Sequence, residues 1–279
     1  MRVVVAGAHG QVARRLGRLL SARGDTVVGI IRNPAHSDDL RADGVEPVVL
    51  DLERAGAEQV AEVVAGAHGQ VARRLGRLLS GRGDTVVGIV RNPAHSDDLR
   101  ADGVEPVVLD LEQAGVDQVA EVVSGADAVV FAAGAGAGSG EARKHTVDKG
   151  AALLLADAAE RAGVRRYLLV SSMGVEQARQ GTPRGMDPVF AVYLQAKLAA
   201  EDAILPRPAL DTVILRPGRL TDEPGTGRVT LAHGVEYGEV PRDDVAAVLL
   251  ALLDAGKTDE VVELVSGDTP IEEAVAALP

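Results

Sequence analysis

Apolar residues follow two alternating patterns along the chain. Short β-branched runs, such as MRVVV and TVVGII, have the composition of buried strands, whereas QVARRLGRLLSARG has apolar residues at helical spacing. The alternation continues with DAVVFAAG, RRYLLVSS and DTVILRPG as strands and with VDKGAALLLADAAERAG and FAVYLQAKLAAEDAIL as helices. Strands that alternate with helices form parallel sheets with right-handed crossovers. The sequence therefore predicts an α/β fold, a doubly wound parallel sheet with helices on both faces.

The N-terminal half contains one segment twice. Residues 6–64 and 65–123 align at an offset of 59 and differ at five positions. All five differences are mild: Ala22/Gly81, Ile31/Val90, Arg54/Gln113, Ala57/Val116 and Glu58/Asp117. A solenoid needs roughly three or more repeats, so we interpret the pair as a tandem duplication, natural or engineered, within a single domain spanning 1–279.

The residues that precede the two copies differ. The first follows MRVVV, which suits a central strand, whereas the second follows VAEVV and has Glu62 where Val3 stands. An unpaired carboxylate in a central strand costs several kcal/mol. We therefore expect the first copy to follow a genuine strand and to be the working one, and the second to be a helix continuation or a displaced segment. The direct connection of the second copy to GADAVVFAAG favours the opposite choice, and the sequence leaves both open.

A glycine-rich stretch, GAHGQVA (Gly7–Ala13), lies between a predicted strand and a predicted helix. Gly7 permits a tight turn, Gly10 lets the backbone approach a pyrophosphate, and Ala13 is small enough for close packing. The helix N-terminus supplies free N–H groups and partial positive charge. The stretch predicts a dinucleotide-binding loop of Rossmann type, with an ordinary turn as the alternative. Gly66 and Gly69 are the second-copy equivalents.

The ends of the next two strands bear on the choice of cofactor. The second strand ends in Arg32 and Asn33 (Arg91 and Asn92 in the second copy) rather than in the carboxylate usual for NAD. A guanidinium binds a 2′-phosphate through charge-assisted hydrogen bonds, so we favour NADP over NAD, with a solvated arginine as the alternative. Asp51, after the third strand, accepts from an adenine amino group or caps the following helix.

A candidate proton-transfer group lies in YLQAK. Tyr193 and Lys197 are four residues apart and share one helix face. A nearby ammonium lowers the pKa of a tyrosine, ordinarily about 10. Ser171 and Ser172 end the preceding strand, where doubly wound folds bind ligands.

These motifs occur in the order found in short-chain dehydrogenase/reductases, and the chain resembles the atypical members related to extended NAD(P)-dependent epimerases and dehydratases. The resemblance implies that Ser172, Tyr193 and Lys197 are catalytic, with Ser172 orienting a carbonyl and Tyr193 moving its proton. Asp148 stands where the family often has a catalytic Asn. The implied cofactor-binding set is Gly7, His9, Gly10, Gln11, Val12, Arg32, Asn33, Asp51, Leu52, Ala132, Ala133, Gly134, Lys197, Pro217 and Gly218, with Gly66, Gly69, Arg91, Asp110 and Leu111 as the second-copy alternative.

Composition narrows the classes of function. The net charge is −12, which argues against nucleic acid, and the chain has no cysteine, which excludes disulfides and thiolate metal sites. No run approaches the roughly 18 apolar residues of a membrane span, and the N-terminal apolar run is too short for a signal peptide. We expect a cytoplasmic protein with no metal and no membrane partner.

The leading hypothesis is an NADP-dependent oxidoreductase that moves a hydride between nicotinamide and a small carbonyl or alcohol substrate. The loops 173–188 and 220–240 would form a small substrate cap. The alternatives are a non-catalytic NADP(H)-binding sensor, an epimerase- or dehydratase-like enzyme, and a chain in which the duplication has spoiled binding. Because a surplus αβ segment needs cover for its apolar faces, we expect it to extend the sheet or to form a domain-swapped homodimer.

Overall fold

The computed structural model describes residues 2–6, 11–31, 36–49, 60–136, 138–182 and 185–279. The chain divides into two compact units, Met1–Glu58 and Gln59–Pro279, whereas the sequence predicts a single domain. The division arises because the three strands within residues 2–49 pair with one another, whereas the strand Ala61–Ala65 and the strands of the second copy are part of the larger sheet.

The first unit is a small parallel sheet with two helices. Its elements are β1 (Arg2–Ala6), α1 (Gln11–Ala22), β2 (Thr26–Ile31), α2 (Ser37–Ala42) and β3 (Glu46–Val49). The sheet order is β1-β2-β3. Its described core is small and consists of Val27, Leu40 and Val45, with Leu20 packed against them.

The second unit is built on a nine-stranded sheet. Its strands are β4 (Ala61–Ala65), β5 (Thr85–Val90), β6 (Glu105–Val108), β7 (Ala128–Phe131), β8 (Arg166–Val170), β9 (Asp211–Pro217), β11 (Arg228–Ala232), β13 (Glu260–Ser266) and β14 (Thr269–Pro270). The order is β14-β11-β13-β9-β8-β7-β4-β5-β6, and every pair from β13 to β6 is parallel. Two short strands, β10 (Arg219–Thr221) and β12 (Glu239–Pro241), pair separately.

Helices connect these strands. They are α3 (Gln70–Arg82), α4 (Ser96–Ala101), α5 (Val116–Val123), α6 (Glu141–Arg143), α7 (Ala152–Ala162), α8 (Pro188–Ile204), α9 (Arg242–Ala255) and α10 (Ile271–Ala276). A π-helical segment, Lys144–Ala151, joins α6 to α7. Short 3₁₀ turns lie at Pro93–His95 and Val175–Ala178.

Alternate strand residues enter two separate cores, one on each face of the sheet. Val64 and Val130 pack in the core that contains α3 and α9, while Val63 and Val129 pack in the core that contains α5 and α7. A sheet buried on both faces requires strands that are apolar at successive positions. The predicted α/β fold, a mostly parallel sheet with helices on both faces, is confirmed.

The strand before the second copy differs from expectation. β4 lies in the interior of the sheet, between β5 and β7, and Glu62 is 1% exposed within it. The expectation of a helix continuation or a displaced segment at this position is therefore wrong. The reason is that β4 has a hydrogen-bonded strand on each side, and this backbone pairing outweighs the carboxylate. The predicted helix at the end of the first copy is likewise wrong over Ala61–Val64.

Among the described residues, no helix is both long enough and apolar enough to cross a membrane. The same part of the chain has no group of three or more His, Asp or Glu side chains arranged to hold a metal ion.

Candidate functional site

Two adjoining cavities lie at the carboxyl edge of the nine-stranded sheet. Cavity A has a volume of about 340 Å³ and cavity B about 700 Å³. They share Gly69 and the segment Ala132–Gly134, which follows β7. The two therefore adjoin one another across the ends of the strands, the position at which doubly wound sheets bind ligands.

A glycine-rich turn from the second copy forms the floor where the cavities meet. Gly66 has φ +75°, and a Cβ at this position would lie 2.6 Å from the Ala133 Cα. Gly69 is the N-cap of α3, and a Cβ there would lie 3.1 Å from the Gly66 carbonyl oxygen. The first turn of α3 faces the cleft, because Gln70 and Val71 line cavity B. This bare helix N-terminus fits the phosphates of a dinucleotide.

Two guanidinium groups share one carboxylate at the far end of cavity A. Arg91 Nη1 lies 2.7 Å and Arg143 Nη2 lies 2.9 Å from Glu112 Oε2, and Thr146 Oγ1 donates to Glu112 Oε1 at 2.6 Å. The Thr146 hydroxyl and the two cations hold the pKa of Glu112 below its usual value. Sequence reasoning proposed Arg91 but missed Arg143 and Glu112.

Asp110 and Leu111 also line cavity A. Asp110 Oδ1 accepts a hydrogen bond from the Glu112 backbone N–H at 3.0 Å. One carboxylate oxygen therefore holds the turn after β6. It does not cap the following helix, because the N-cap of α5 is Gly115. The Asn92 side chain similarly accepts from the Ala94 N–H at 3.0 Å and starts a 3₁₀ turn.

Two histidines form a flat wall of cavity A. The His68 and His95 rings stack with their centroids 3.6 Å apart, and His68 Nε2 lies 2.8 Å from Asp98 Oδ2. Sequence reasoning did not include His68 among the residues of the site. The stacking of the two rings could not be predicted from the sequence, because the two histidines are 27 positions apart in the chain.

Cavity B is lined by two of the residues proposed for proton transfer, Tyr193 and Lys197, which lie on α8. Ser172 follows β8 but does not line the cavity, whereas its neighbour Ser171 does. Lys197 is 3% exposed, and its Nζ donates to the carbonyl oxygens of Val170 (2.9 Å) and Ala133 (3.3 Å). Burial lowers the pKa of Lys197.

The environment of Tyr193 differs from expectation. Burial, followed by the charge of Asp148, raises the pKa of Tyr193 to about 12, while a hydrogen bond with Ser172 acts in the opposite direction. The expectation that Lys197 lowers this pKa is wrong. The ammonium lies 6.0 Å from the Tyr193 ring centroid and 3.5 Å from Asp148 Oδ1, so its charge is largely compensated by a carboxylate.

Asp148 ties this centre to the turn after β7. It is fully buried on the π-helical segment, and its Oδ2 accepts from the Ala135 N–H at 3.2 Å. A Cβ on Gly134 would lie 3.3 Å from Asp148 Oδ1. Since π-helical turns are rare and frequent at functional sites, Asp148 marks this segment as part of the site.

Lys144 begins the same segment and was missed by sequence reasoning. It is 7% exposed, lines cavity B, and its Nζ donates to the Gly136 carbonyl oxygen at 2.8 Å. The ammonium lies 5.4 Å from the Tyr193 ring centroid. Tyr193 therefore has two lysine ammonium groups near its ring.

Comparison with known proteins identifies the family. A model described as NAD(P)H-binding matches residues 7–67 and 66–256. The chain belongs to the NAD(P)H-binding family. The two matched segments overlap where one copy of the repeat gives way to the next.

Relatives of this NAD(P)H-binding protein have varied names. An uncharacterized sugar epimerase of Bacillus subtilis is 36% identical over 76% of this chain and 97% of its own length. A structure from Bacillus halodurans, assigned provisionally to the NAD-dependent epimerases/dehydratases, is 35% identical with a TM-score of 0.70 and covers 78% of this chain and 100% of its own. An anaerobillin reductase of Escherichia coli O157:H7 is 27% identical with a TM-score of 0.61, covering 75% and 98%. The Rossmann-like class of the fold is confirmed.

The structure brings together most of the second-copy alternatives in this NAD(P)H-binding unit. Cavity A is lined by Gly66, Gly69, Arg91, Asp110, Leu111 and Ala132–Gly134. Pro217 lines cavity B, whereas Gly218 lies against the backbone just before β12, where a Cβ would lie 2.2 Å from the Gly238 carbonyl oxygen. From the expected cap loops, Asp187 and Leu220 line cavity B.

The first-copy candidates belong to the other unit. Gln11 and Val12 begin α1 in that unit. The remaining first-copy candidates, Gly7, His9, Gly10, Arg32, Asn33, Asp51 and Leu52, lie outside the described residues.

Proposed function

We propose that the protein is an NADP-dependent oxidoreductase whose cofactor is bound by the second copy of the repeat. The observation that carries the proposal is that cavities A and B adjoin one another and share Gly69 and Ala132–Gly134 as lining residues. A dinucleotide with its phosphates at the start of α3 would extend from cavity A toward Tyr193 in cavity B. The order of motifs, which resembles the atypical short-chain dehydrogenase/reductases, supports the same function.

When bound, the nicotinamide would supply or accept the hydride. Tyr193, with its pKa near 12, keeps its proton at neutral pH and can donate it to the oxygen of a carbonyl being reduced. The Ser172 hydroxyl, which donates to the Met173 carbonyl oxygen at 3.1 Å, acts on the pKa of Tyr193 and would orient the same oxygen. Lys197 fixes the ends of β7 and β8 through two carbonyl oxygens, so its role is to position the strand ends around the substrate.

The choice of NADP rests on the cations of cavity A. Arg91 is half exposed and, together with Arg143, shares a single carboxylate, Glu112. A 2′-phosphate carries up to two negative charges and can bind two guanidiniums with charge-assisted hydrogen bonds. A ribose hydroxyl offers no comparable charge. This arrangement supports NADP over NAD.

Titration with NADPH and NADH tests the proposal. We expect NADPH to bind at least about 10-fold more tightly, and Arg91→Ala to weaken NADPH binding by about 10- to 100-fold with little effect on NADH. Arg32→Ala, at the same position of the first copy, is the matched control and should leave both affinities unchanged. Absence of binding by either cofactor would overturn the proposal.

A second candidate is a non-catalytic NADP(H)-binding sensor. The close contact between Lys197 and Asp148 favours it, because Lys197 then does not activate Tyr193. A panel of aldehydes, ketones and quinones offered with NADPH distinguishes the two. Oxidation of NADPH by any member supports the enzyme, and tight binding of NADPH without oxidation by any member supports the sensor.

A further inference from the structure

Lys144 is a buried cation within the candidate substrate cavity. It is 7% exposed, and its Nζ has the Gly136 carbonyl oxygen at 2.8 Å as its hydrogen-bond acceptor. An ammonium has three donor hydrogens. Among the described residues this neutral oxygen is its one hydrogen-bond acceptor, so most of its hydrogen-bonding capacity is unused.

The carboxylates that line cavity B are engaged elsewhere. Asp148 contacts Lys197 at 3.5 Å and the Ala135 N–H at 3.2 Å, and Asp187 Oδ1 accepts from the Phe190 N–H at 2.8 Å. Within the part of the chain that the structure describes, no Asp or Glu lies within ion-pair distance of Lys144. A buried charge without a counterion is costly, so the arrangement favours an anion brought by a ligand.

The other groups of the cavity narrow the chemistry of that ligand. Arg242 also lines cavity B but has Asp222 at 2.9 Å as its counterion. Val189 and Phe190 line the cavity as well, and both are about two-fifths exposed. The cavity therefore combines one uncompensated cation with an apolar rim, near the Tyr193 ring.

We propose that cavity B takes a carbonyl substrate that carries a carboxylate, and that Lys144 binds this carboxylate while Tyr193 faces the carbonyl. The inference rests on the proposed oxidoreductase function and specifies its substrate class. Lys144 is then a specificity-determining residue. Its distance of 5.4 Å from the Tyr193 ring suits an anion and a carbonyl on one small molecule.

A pair of matched probes tests this assignment. 4-Carboxybenzaldehyde and its neutral methyl ester differ in one charge, and binding of each is measured calorimetrically to the full-length protein, with and without saturating NADP⁺. We expect Lys144→Met to weaken binding of the acid at least about 10-fold and that of the ester by less than about twofold, since a hydrogen bond to a charged group contributes about 1.5–3 kcal/mol. Lys144→Arg should restore much of the preference for the acid.

The control is Lys149→Met, which removes the same charge from the same segment at a residue that does not line cavity B. It should leave the acid-to-ester ratio unchanged. Equal effects of Lys144→Met on acid and ester, or a wild-type protein that does not prefer the acid, would overturn the inference. Loss of NADP⁺ binding in the wild type would instead overturn the proposed function, while the probes measured without NADP⁺ still test Lys144.

An independent observation concerns Glu62 in β4. Among the described residues, neither of its buried carboxylate oxygens has a hydrogen-bond partner, and Arg82 Nη2 lies 3.5 Å from Oε1. The surrounding charged groups are Arg82, Asp84, Asp127 and Asp254, of which three are carboxylates. Burial raises the pKa of Glu62 to about 7.

The first copy has no buried carboxylate at the corresponding position, but apolar residues of its helix α1 are exposed. Its strand β1 has Val3 in place of Glu62. On α1, Leu16 is 45% and Leu19 is 71% exposed, whereas their counterparts on α3, Leu75 and Leu78, are 0% and 39% exposed. Helices α1 and α3 therefore carry the same apolar face, and the nine-stranded sheet has one position, beside β7, that can bury it.

We infer that the two copies exchange within one chain, the first replacing the second beside β7 while residues 65–123 are looped out. In that arrangement Glu62 moves to the position of Glu121, which is exposed on α5. Exchange buries Val3 in place of a carboxylate. Ionisation of Glu62 disfavours the described arrangement, so a rise in pH from about 5 to 8 should increase the exchanged population.

Hydrogen exchange on the full-length protein tests this inference. Peptides from the two copies are distinguishable by mass at Ala22/Gly81 and Ile31/Val90. At pH 8 we expect Glu62→Val to slow amide exchange in α3 by at least about 10-fold, with no gain from the matched control Glu121→Val. Unchanged amide protection of α3 in Glu62→Val would overturn the inference. Protection that depends on protein concentration would also overturn it, because that is the result expected of a swap between two chains.

Discussion

Tyr193 is surrounded by charged groups of both signs, and the balance keeps its proton in place. Lys144 and Lys197 lie 5.4 Å and 6.0 Å from its ring centroid, but burial and Asp148 outweigh them and raise its pKa to about 12. A protonated phenol is an acid, so the arrangement suits reduction of a carbonyl better than oxidation of an alcohol.

Replacement of this hydroxyl is the direct test. We expect Tyr193→Phe to lower turnover by about 10²- to 10⁴-fold, because a positioned acid contributes that much. NADPH affinity should change by less than about twofold, since the residue lines cavity B and not cavity A. Unchanged turnover in a folded variant would remove Tyr193 from the chemistry.

The raised pKa also predicts a pH profile. Because the phenol stays protonated well below pH 12, the rate of carbonyl reduction should show no loss from Tyr193 between pH 6 and about 9. A phenol whose pKa was lowered by Lys197 would lose its proton, and the rate would fall, within that range. Initial rates at saturating NADPH measure this. A decline that Tyr193→Phe abolishes would contradict the expected direction.

At the scale of the element, one four-residue stretch takes two conformations. AEVV occurs at residues 61–64 and 120–123, and it contributes to strand β4 in the first instance and to helix α5 in the second. Local secondary-structure propensity cannot explain this difference, because the two stretches have identical sequences. The difference comes from the neighbouring element on the C-terminal side, which is a glycine-rich turn and helix α3 in one case and the strand β7 in the other.

The glycine-rich turn after β4 gives a prediction with an internal control. Gly66→Ala places a Cβ at positive φ and 2.6 Å from the Ala133 Cα, so we expect NADPH affinity to fall at least about 10-fold and stability to fall by about 1–3 kcal/mol. Gly7→Ala makes the same change in the first copy and should leave NADPH affinity unchanged. Calorimetry and thermal unfolding report the two quantities. The reverse result would assign the cofactor to the first copy.

Much of the site could be predicted from the sequence because its markers are local. The glycine-rich turn, Arg91 and the spacing of Tyr193 and Lys197 are each visible in a few letters. The partners of these residues were not visible. Lys144, Glu112 and Arg143 contribute through contacts across separate elements, and the π-helical segment that carries Lys144 has no sequence signal of its own.

At the scale of the whole molecule, strands β1, β2 and β3 form a separate, smaller unit and are not part of the nine-stranded sheet. The alternation of strands and helices could be predicted, and the class of fold is confirmed. Which copy is part of the nine-stranded sheet could not be predicted, because a buried Glu62 argued against the second copy and its direct connection to β7 argued for it. In the structure, β4 pairs with a strand on each side, and the second copy is the one in the sheet.

The division into units predicts that the larger one is sufficient. A chain comprising residues 59–279 contains every strand of the nine-stranded sheet and every described residue of cavities A and B. We expect it to fold and to bind NADPH within about twofold of the full-length affinity, as measured by calorimetry. Loss of binding in a folded protein would mean that residues 1–58 contribute to the site.

The three-stranded sheet of the first unit has one further consequence. β1 pairs with β2 and with no other strand in the described part of the chain, so it is an edge strand with unpaired backbone N–H and C=O groups on its other side. In the second unit, the corresponding edge of β4 is paired with β7. Because unpaired edges of β-branched strands are templates for aggregation, we expect concentrated preparations of the full-length protein to precipitate sooner than those of a chain trimmed to a single copy.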